Sequence, residues 1–159
     1  MELEFKVWDV TNKEMLDLED LHFDDTTGEL TIRTTMYSDY FTANQMIPLP
    51  YTGIKDKLGN KIYLGDIVQL DEVGRKLFSG VGTGLLDREF QLVGFHDGGF
   101  MTGHNHLDPE TMNTYLWIIR DYVTIVGNKY MNPELLEKDK QYYKEWLQNQ
   151  EGGKTDVTT

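Results

Sequence analysis

The segment YTGIKDKLGNKIYLGDIVQL, residues 51–70, holds three of the chain's fifteen glycines and one tight apolar alternation. Two readings compete for it: a glycine loop that grips a ligand, or a pair of reversals that fold short strands into a small barrel. Asp56-Lys57-Leu58-Gly59-Asn60 offers the first reversal, with Gly59 able to take a positive φ at little steric cost. Lys61-Ile62-Tyr63 is a short strand, Gly65-Asp66 turns again, and Ile67-Val68-Gln69-Leu70 leaves as the next strand. A phosphate cradle needs a helix N-terminus behind its glycines, and no helical pattern follows these. Two reversals between residues 56 and 66 therefore predict short strands folding back on one another, as small barrels require.

Upstream, Leu3, Phe5 and Val7 alternate with Glu4 and Lys6, the pattern of a half-buried strand. Leu21-His22-Phe23 and Leu30-Thr31-Ile32 flank Asp24-Asp25-Thr26-Thr27-Gly28 and predict a hairpin, with His22 on its wet face. Residues 36–47 are ambiguous, and Pro48 and Pro50 argue against a central strand there. Downstream, residues 71–89 predict a long hairpin tip. EFQLVGFHDGGFMTG (89–103) predicts strand, turn at Asp97-Gly98-Gly99, and strand; TYLWIIRDYVTIVGN (114–128) is the most β-prone stretch, a strand pair or one bent strand. Asn132 and Pro133 open a helix whose stripe is Leu135, Leu136, Tyr142, Tyr143, Trp146 and Leu147. Gly152-Gly153 ends it, and a disordered tail is expected after it.

With 39% apolar and 12% aromatic residues, the 159-residue chain can bury a core. It has no apolar run of the roughly 18 residues a membrane span needs, its N-terminus does not resemble a signal peptide, and it has no cysteine. A cytoplasmic protein is expected. The net charge of −12 is uneven: residues 1–30 carry ten acids against two lysines, net −8, whereas residues 31–70 hold three acids and four bases, net +1. That field repels nucleic acid, except at a local patch of Lys55, Lys57 and Lys61. A solvated acidic surface is its commonest meaning; a decoy surface for a basic DNA-binding protein is the sharper one.

FKVWDVTNKEM (5–15), YTGIKDKLGNKIYLGDIV (51–68) and VTIVGNKYMNPELL (123–136) resemble the marker segments of the YopX family, small proteins of phages and prophages, and occur in family order. Thr52-Gly53, Lys55-Asp56, Gly59, Ile62-Tyr63 and Gly65-Asp66-Ile67-Val68 carry the most specific part of the likeness. MIPLP (46–50) departs from it, standing where a polar lead-in is commoner. The resemblance implies a mostly-β protein whose second half forms an SH3-like barrel, and it brings no catalytic set or cofactor with it.

The chemistry-bearing residues divide into three groups. His96, His104 and His106, with Asp97, Asp108 and Glu110 nearby, are residue types that bind transition metals or activate water, and His104 and His106 share a face if extended. A polar loop histidine cluster is the commoner meaning of such a string. GVGTG (80–84) lacks phosphate-loop spacing, and neither Ser38 nor Ser79 sits in a nucleophile elbow. Asp66 reads as a turn aspartate rather than a catalytic one. Tyr142, Tyr143 and Trp146 either pack on the barrel or form a partner-docking or self-association face.

Taken together, the sequence predicts a mainly β fold with an SH3-like barrel, an N-terminal β-hairpin region and a C-terminal α-helix. The expected divisions are 1–48, 49–130, 131–151 and a tail over 152–159. No catalytic residue or cofactor is expected. The leading function is a non-catalytic phage protein-interaction or regulatory module, with a protein partner or self-association through the C-terminal helix. The alternatives are a metal-dependent hydrolase or nuclease at His96, His104 and His106, and a nucleic-acid-binding barrel.

Overall fold

The computed structural model describes residues 4–78, 90–96, 98–103, 112–137 and 148. The fold is mainly β, with two antiparallel sheets and few helices among these residues. Strands β1 (Phe5–Asp9), β2 (Glu14–Phe23), β3 (Leu30–Thr34), β4 (Phe41–Thr42), β5 (Met46–Lys55) and β6 (Lys61–Tyr63) form the first sheet, in the order β4-β3-β2-β1-β5-β6.

The hairpin expected around residue 24 forms as β2 and β3, with Phe23 opposite Leu30 and Leu21 opposite Ile32. Asp24 closes its turn by accepting the N–H groups of Thr26 and Thr27. His22 is exposed there, as the alternation predicts. Strand β1 differs from the half-buried expectation because it is central, flanked by β2 and β5. Val7 on one face joins Leu16, Ile32 and Met46 in a core. Trp8 on the other face is also buried, its ring stacked on Tyr130 at 5.4 Å.

Pro48 and Pro50 do lie within an interior strand, which corrects the sequence reading. Pro48 stands opposite Val7 and Pro50 opposite Phe5. Tyr51 donates its N–H to the Glu4 carbonyl, so odd positions of β5 point their amides at β1 and even positions point away. The missing proline N–H groups thus face away from β1, on the side where the ladder with β6 begins at Tyr51 and the Leu64 N–H still reaches the Pro50 carbonyl.

The second sheet contains β7 (Asp66–Leu70), β8 (Phe90–His96), β9 (Gly99–Gly103), β10 (Met112–Tyr115) and β11 (Val123–Asn128), in the order β10-β9-β8-β7-β11. Two helical interruptions replace expected extended or looped chain. Helix α1 (Glu72–Phe78) opens residues 71–89, where a hairpin tip was expected; Asp71 caps it by accepting the Gly74 N–H at 2.7 Å. Helix α2 (Leu116–Ile119) and a 3-10 helix (Arg120–Tyr122) interrupt the β-prone stretch. Leu116, Ile119 and Val123 are fully buried in the core of Ile62, Val68, Leu70 and Val93, a spacing of three and four that extended chain cannot place on one face.

The glycines of residues 51–70 act as turn residues. Gly53, Gly59 and Gly65 all have positive φ, between 81° and 88°. Gly53 sits where the β5–β6 register slips between Tyr51 and Lys55. The hairpin that follows docks on β11: Lys57 donates its N–H to the Val123 carbonyl, and the Asp56 carboxylate accepts the N–H of Ile125. A side chain thus takes the place of a ladder partner along that edge, and no closed hydrogen-bonded barrel forms among the described residues.

Asn132 precedes Pro133 and the C-terminal helix α3, described over 133–137. Its side chain accepts the Asn128 N–H rather than capping a helical amide, and the Leu135 N–H goes to its carbonyl. Leu135 and Leu136 pack on Ile67, Leu92 and Phe90, the face of the second sheet opposite the main core.

Candidate functional site

The histidine group is placed only in part. His96 ends β8, half-buried, opposite Gly99; His104 and His106 lie outside the described residues, as do Asp97, Asp108 and Glu110. Among the described residues, no group of three or more His, Asp and Glu is placed to hold a metal ion. Tyr142, Tyr143 and Trp146 also lie outside them. The lysine patch is largely neutralised: Lys57 pairs with Asp71 at 3.1 Å and Lys61 with Glu4 at 2.6 Å.

Where the two sheets meet, a polar and aromatic cluster assembles from four elements. From β1, Lys6 lies over the Tyr63 ring at 4.6 Å. From β5 and β6, Tyr51 and Tyr63 stand 5.6 Å apart, with Lys61 over Tyr51. Glu4 ties them together, accepting from Lys61 and from the Tyr63 hydroxyl at 3.3 Å. The Lys61 ammonium holds the Glu4 carboxyl below its ordinary range. From β7, Asp66 accepts the Tyr63 N–H at 2.8 Å.

Two aspartates of the 51–70 segment expose little surface, Asp56 at 6% and Asp66 at 9%, and the Asp66 carboxyl lies much the deeper. Asp56 accepts three backbone N–H groups, from Leu58, Asn60 and Ile125. Burial alone would raise its pKa, but those donors outweigh burial and hold it below the ordinary value. Asp66 has one such donor. Burial dominates there and raises it to about 6, opposed by the Tyr63 amide and the Lys6 charge. A raised carboxyl marks a catalytic acid or base when it lines a cavity. Two clefts lined by described residues lie away from Asp66. One of about 130 Å³ lies between Asp9, Tyr37, Phe41 and Met46. A polar one of about 340 Å³ lies between Tyr51, Lys55, Arg120 and Asp121. In the first, the Asp9 carboxylate is occupied by Thr11 N–H, Asn12 N–H and the Asn12 side chain.

The second sheet ends in an apolar surface that the sequence reading missed. Phe95 and Phe100 are cross-strand partners, their rings edge to face at 5.3 Å. Phe95 is 61% exposed, and so is Trp117 on α2, beside exposed Ile118. Phe100 rests on the core to which Leu116 and Ile119 of α2 belong, so the pair and α2 share one end of the sheet. The signal was present in FHDGGF (95–100). A turn signal between two apolar runs pairs His96 with Gly99 and so sets the two phenylalanines opposite each other.

The fold has counterparts among solved structures. Protein yopX from Bacillus subtilis aligns with a TM-score of 0.53 at 19% identity, over 86% of this chain and 97% of that one. Protein EF1440 from Enterococcus faecalis aligns with a TM-score of 0.51 at 24% identity, over 86% of this chain and 99% of that one. At such identities the likeness speaks for the fold alone. No curated protein matches. The family model described as YopX protein matches residues 4–137, taking in all three marker segments. This chain belongs to the YopX family.

Proposed function

We propose that the chain is a non-catalytic protein-interaction or regulatory module, acting in a bacterial cytoplasm in the service of a phage or prophage. The observation that carries this reading is the apolar end of the second sheet. Isolated exposed apolar residues are ordinary on soluble proteins. Here Phe95 and Phe100 pair across one hairpin, exposed Trp117 and Ile118 stand on α2, and Leu116 and Ile119 of that helix share the core on which Phe100 rests; aromatic side chains supply much of the binding energy at protein interfaces.

The scaffold behind that surface is taken as an SH3-like barrel. The strand order β10-β9-β8-β7-β11, the return of β11 to β7, and the 3-10 helix before β11 support that reading. The Tyr142, Tyr143 and Trp146 stripe is proposed as a further contact for a partner or a second copy.

The test is a pair of measurements on the full chain and on a Phe95→Ser, Trp117→Ser variant. Sedimentation should show self-association, or affinity capture from prophage-carrying cells should recover a specific partner, and the variant should weaken that association at least tenfold. Matching behaviour of the two proteins, with unchanged thermal stability, would remove the apolar end from the proposal.

A further inference from the structure

Two cations stand in one cleft without acids to neutralise them. Elsewhere Lys57 pairs with Asp71, Lys61 with Glu4, Lys76 with Glu72 and Arg33 with Glu19. Lys55 and Arg120 make no ion pair among the described residues, and both line the polar cleft of about 340 Å³ between β5 and the 3-10 helix. Asp56 lies in the same lining, but its carboxylate is given to the Leu58, Asn60 and Ile125 N–H groups. Glu4, which senses the Lys55 charge, is taken by Lys61.

The walls of this cleft are tied together. The Lys57 N–H reaches the Val123 carbonyl at 3.0 Å and the Ile125 N–H reaches Asp56 at 3.0 Å, fastening the end of β5 to β11. The Asp71 N–H donates to the Tyr122 carbonyl at 2.9 Å, holding the 3-10 helix that carries Arg120 against the end of β7. Gly53 leaves bare backbone in the wall, where a Cβ would meet nothing within 4 Å. Tyr51 supplies an aromatic residue, with Lys61 over its ring at 5.4 Å. The volume falls in the range of small-molecule sites, about 300–1,000 Å³.

We propose that this cleft binds a phosphate ester of mononucleotide size. Arg120 and Lys55 take the phosphate, because a guanidinium fork matches two phosphate oxygens and an ammonium adds a point charge. Tyr51 offers a ring on which a base stacks. Asp121, also in the lining and without an ion pair among the described residues, accepts from sugar or base donors. A nucleic-acid strand fits less well. Its tight binding requires that several phosphates be neutralised, and this cleft brings two cations in a chain of net charge −12. None of these residues belongs to the Phe95–Trp117 surface, so the two proposals stand or fall separately.

The experiment titrates the full isotope-labelled chain with adenosine monophosphate, inorganic phosphate and a short oligothymidylate, following backbone amides. Adenosine monophosphate should shift the Gly53, Ile54, Arg120 and Asp121 amides in one saturable titration that weakens as salt rises. Lys55→Ala and Arg120→Ala should each weaken it at least tenfold. Both side chains are exposed, and unchanged thermal unfolding checks that the variants are folded. Lys76→Ala removes the same charge from α1 and should leave the affinity as it was. Tyr51→Leu should weaken adenosine monophosphate but not inorganic phosphate, which separates the base from the phosphate. Cleft amides that stay still throughout overturn the proposal, as do equal affinities in the parent, Lys55→Ala and Arg120→Ala. An equal loss in Lys76→Ala reduces the effect to net charge and overturns it too. So does tighter binding of the oligothymidylate than of adenosine monophosphate, which assigns the cleft to a strand.

Discussion

Two carboxylates ten positions apart both expose little surface, but Asp66 lies much the deeper and Asp56 collects more donors. Asp56 faces Leu58, Asn60 and Ile125 N–H groups at 2.9–3.0 Å; it fastens the β5–β6 turn and joins that turn to β11. Substituting Asp56→Ala strands three amides in a place with little access to water. Each such loss costs about 1–3 kcal/mol, part of which water entry recovers, so an overall loss of about 3 kcal/mol is expected in urea unfolding. The pH dependence is equally specific. Because the folded-state pKa of Asp56 is lowered, its contribution is present above the unfolded value and disappears as pH falls through the folded one. The Asp56→Ala protein should therefore lose less stability on acidification than the parent. Equal acid sensitivity in the two proteins would show that the three amides find other acceptors.

At the scale of elements, β11 shows how close approach selects a residue. The β7–β11 register slips between Ile125 and Gly127, and a Cβ on Gly127 would lie 2.3 Å from the Asn132 side-chain oxygen. Gly127→Ala should cost about 1–3 kcal/mol through overpacking. Adding Asn132→Ala should recover part of that loss, although it removes the acceptor of the Asn128 N–H; a double-mutant cycle in thermal unfolding measures the coupling, and strict additivity would place the strain elsewhere. Much at this scale is legible in the sequence, because turn chemistry is local. The 24–28 turn, the reversals at Gly59 and Gly65 and the start of α3 all announce themselves through residues within a few positions. What is not legible depends on partners far along the chain. Pro48 and Pro50 are compatible with β5 because their missing N–H groups face away from β1, toward the side where the β6 ladder only begins. Helix α2 forms in a β-prone stretch because Leu116 and Ile119 are drawn to one core. The candidate site divides in the same way. The Phe95–Phe100 pair can be derived from one hairpin, whereas the burial of Asp66 requires knowing that two sheets meet over it.

On the scale of the whole molecule, the central question is whether the two sheets are one cooperative unit. Links that cross between them include Lys57 to Val123, Asp56 to Ile125, the Tyr63 N–H to Asp66, the Trp8–Tyr130 stack, and Ile62 of β6 packed with Val68, Leu70 and Val93. Val123 and Ile125 lie in the first half of β11 and Tyr130 lies beyond its end, so the sheets are joined at separate points. Trp8 is buried, and its loss leaves a cavity of the kind that costs about 3–5 kcal/mol. If the grip makes the sheets a single unit, Trp8→Ala lowers protection against hydrogen exchange by similar amounts in β1–β2 and in β7–β8, although only the former contains the substitution. Circular dichroism and tyrosine emission should then follow one unfolding transition. Protection lost only in β1–β2, with β7–β8 unchanged, would mean that the sheets unfold separately.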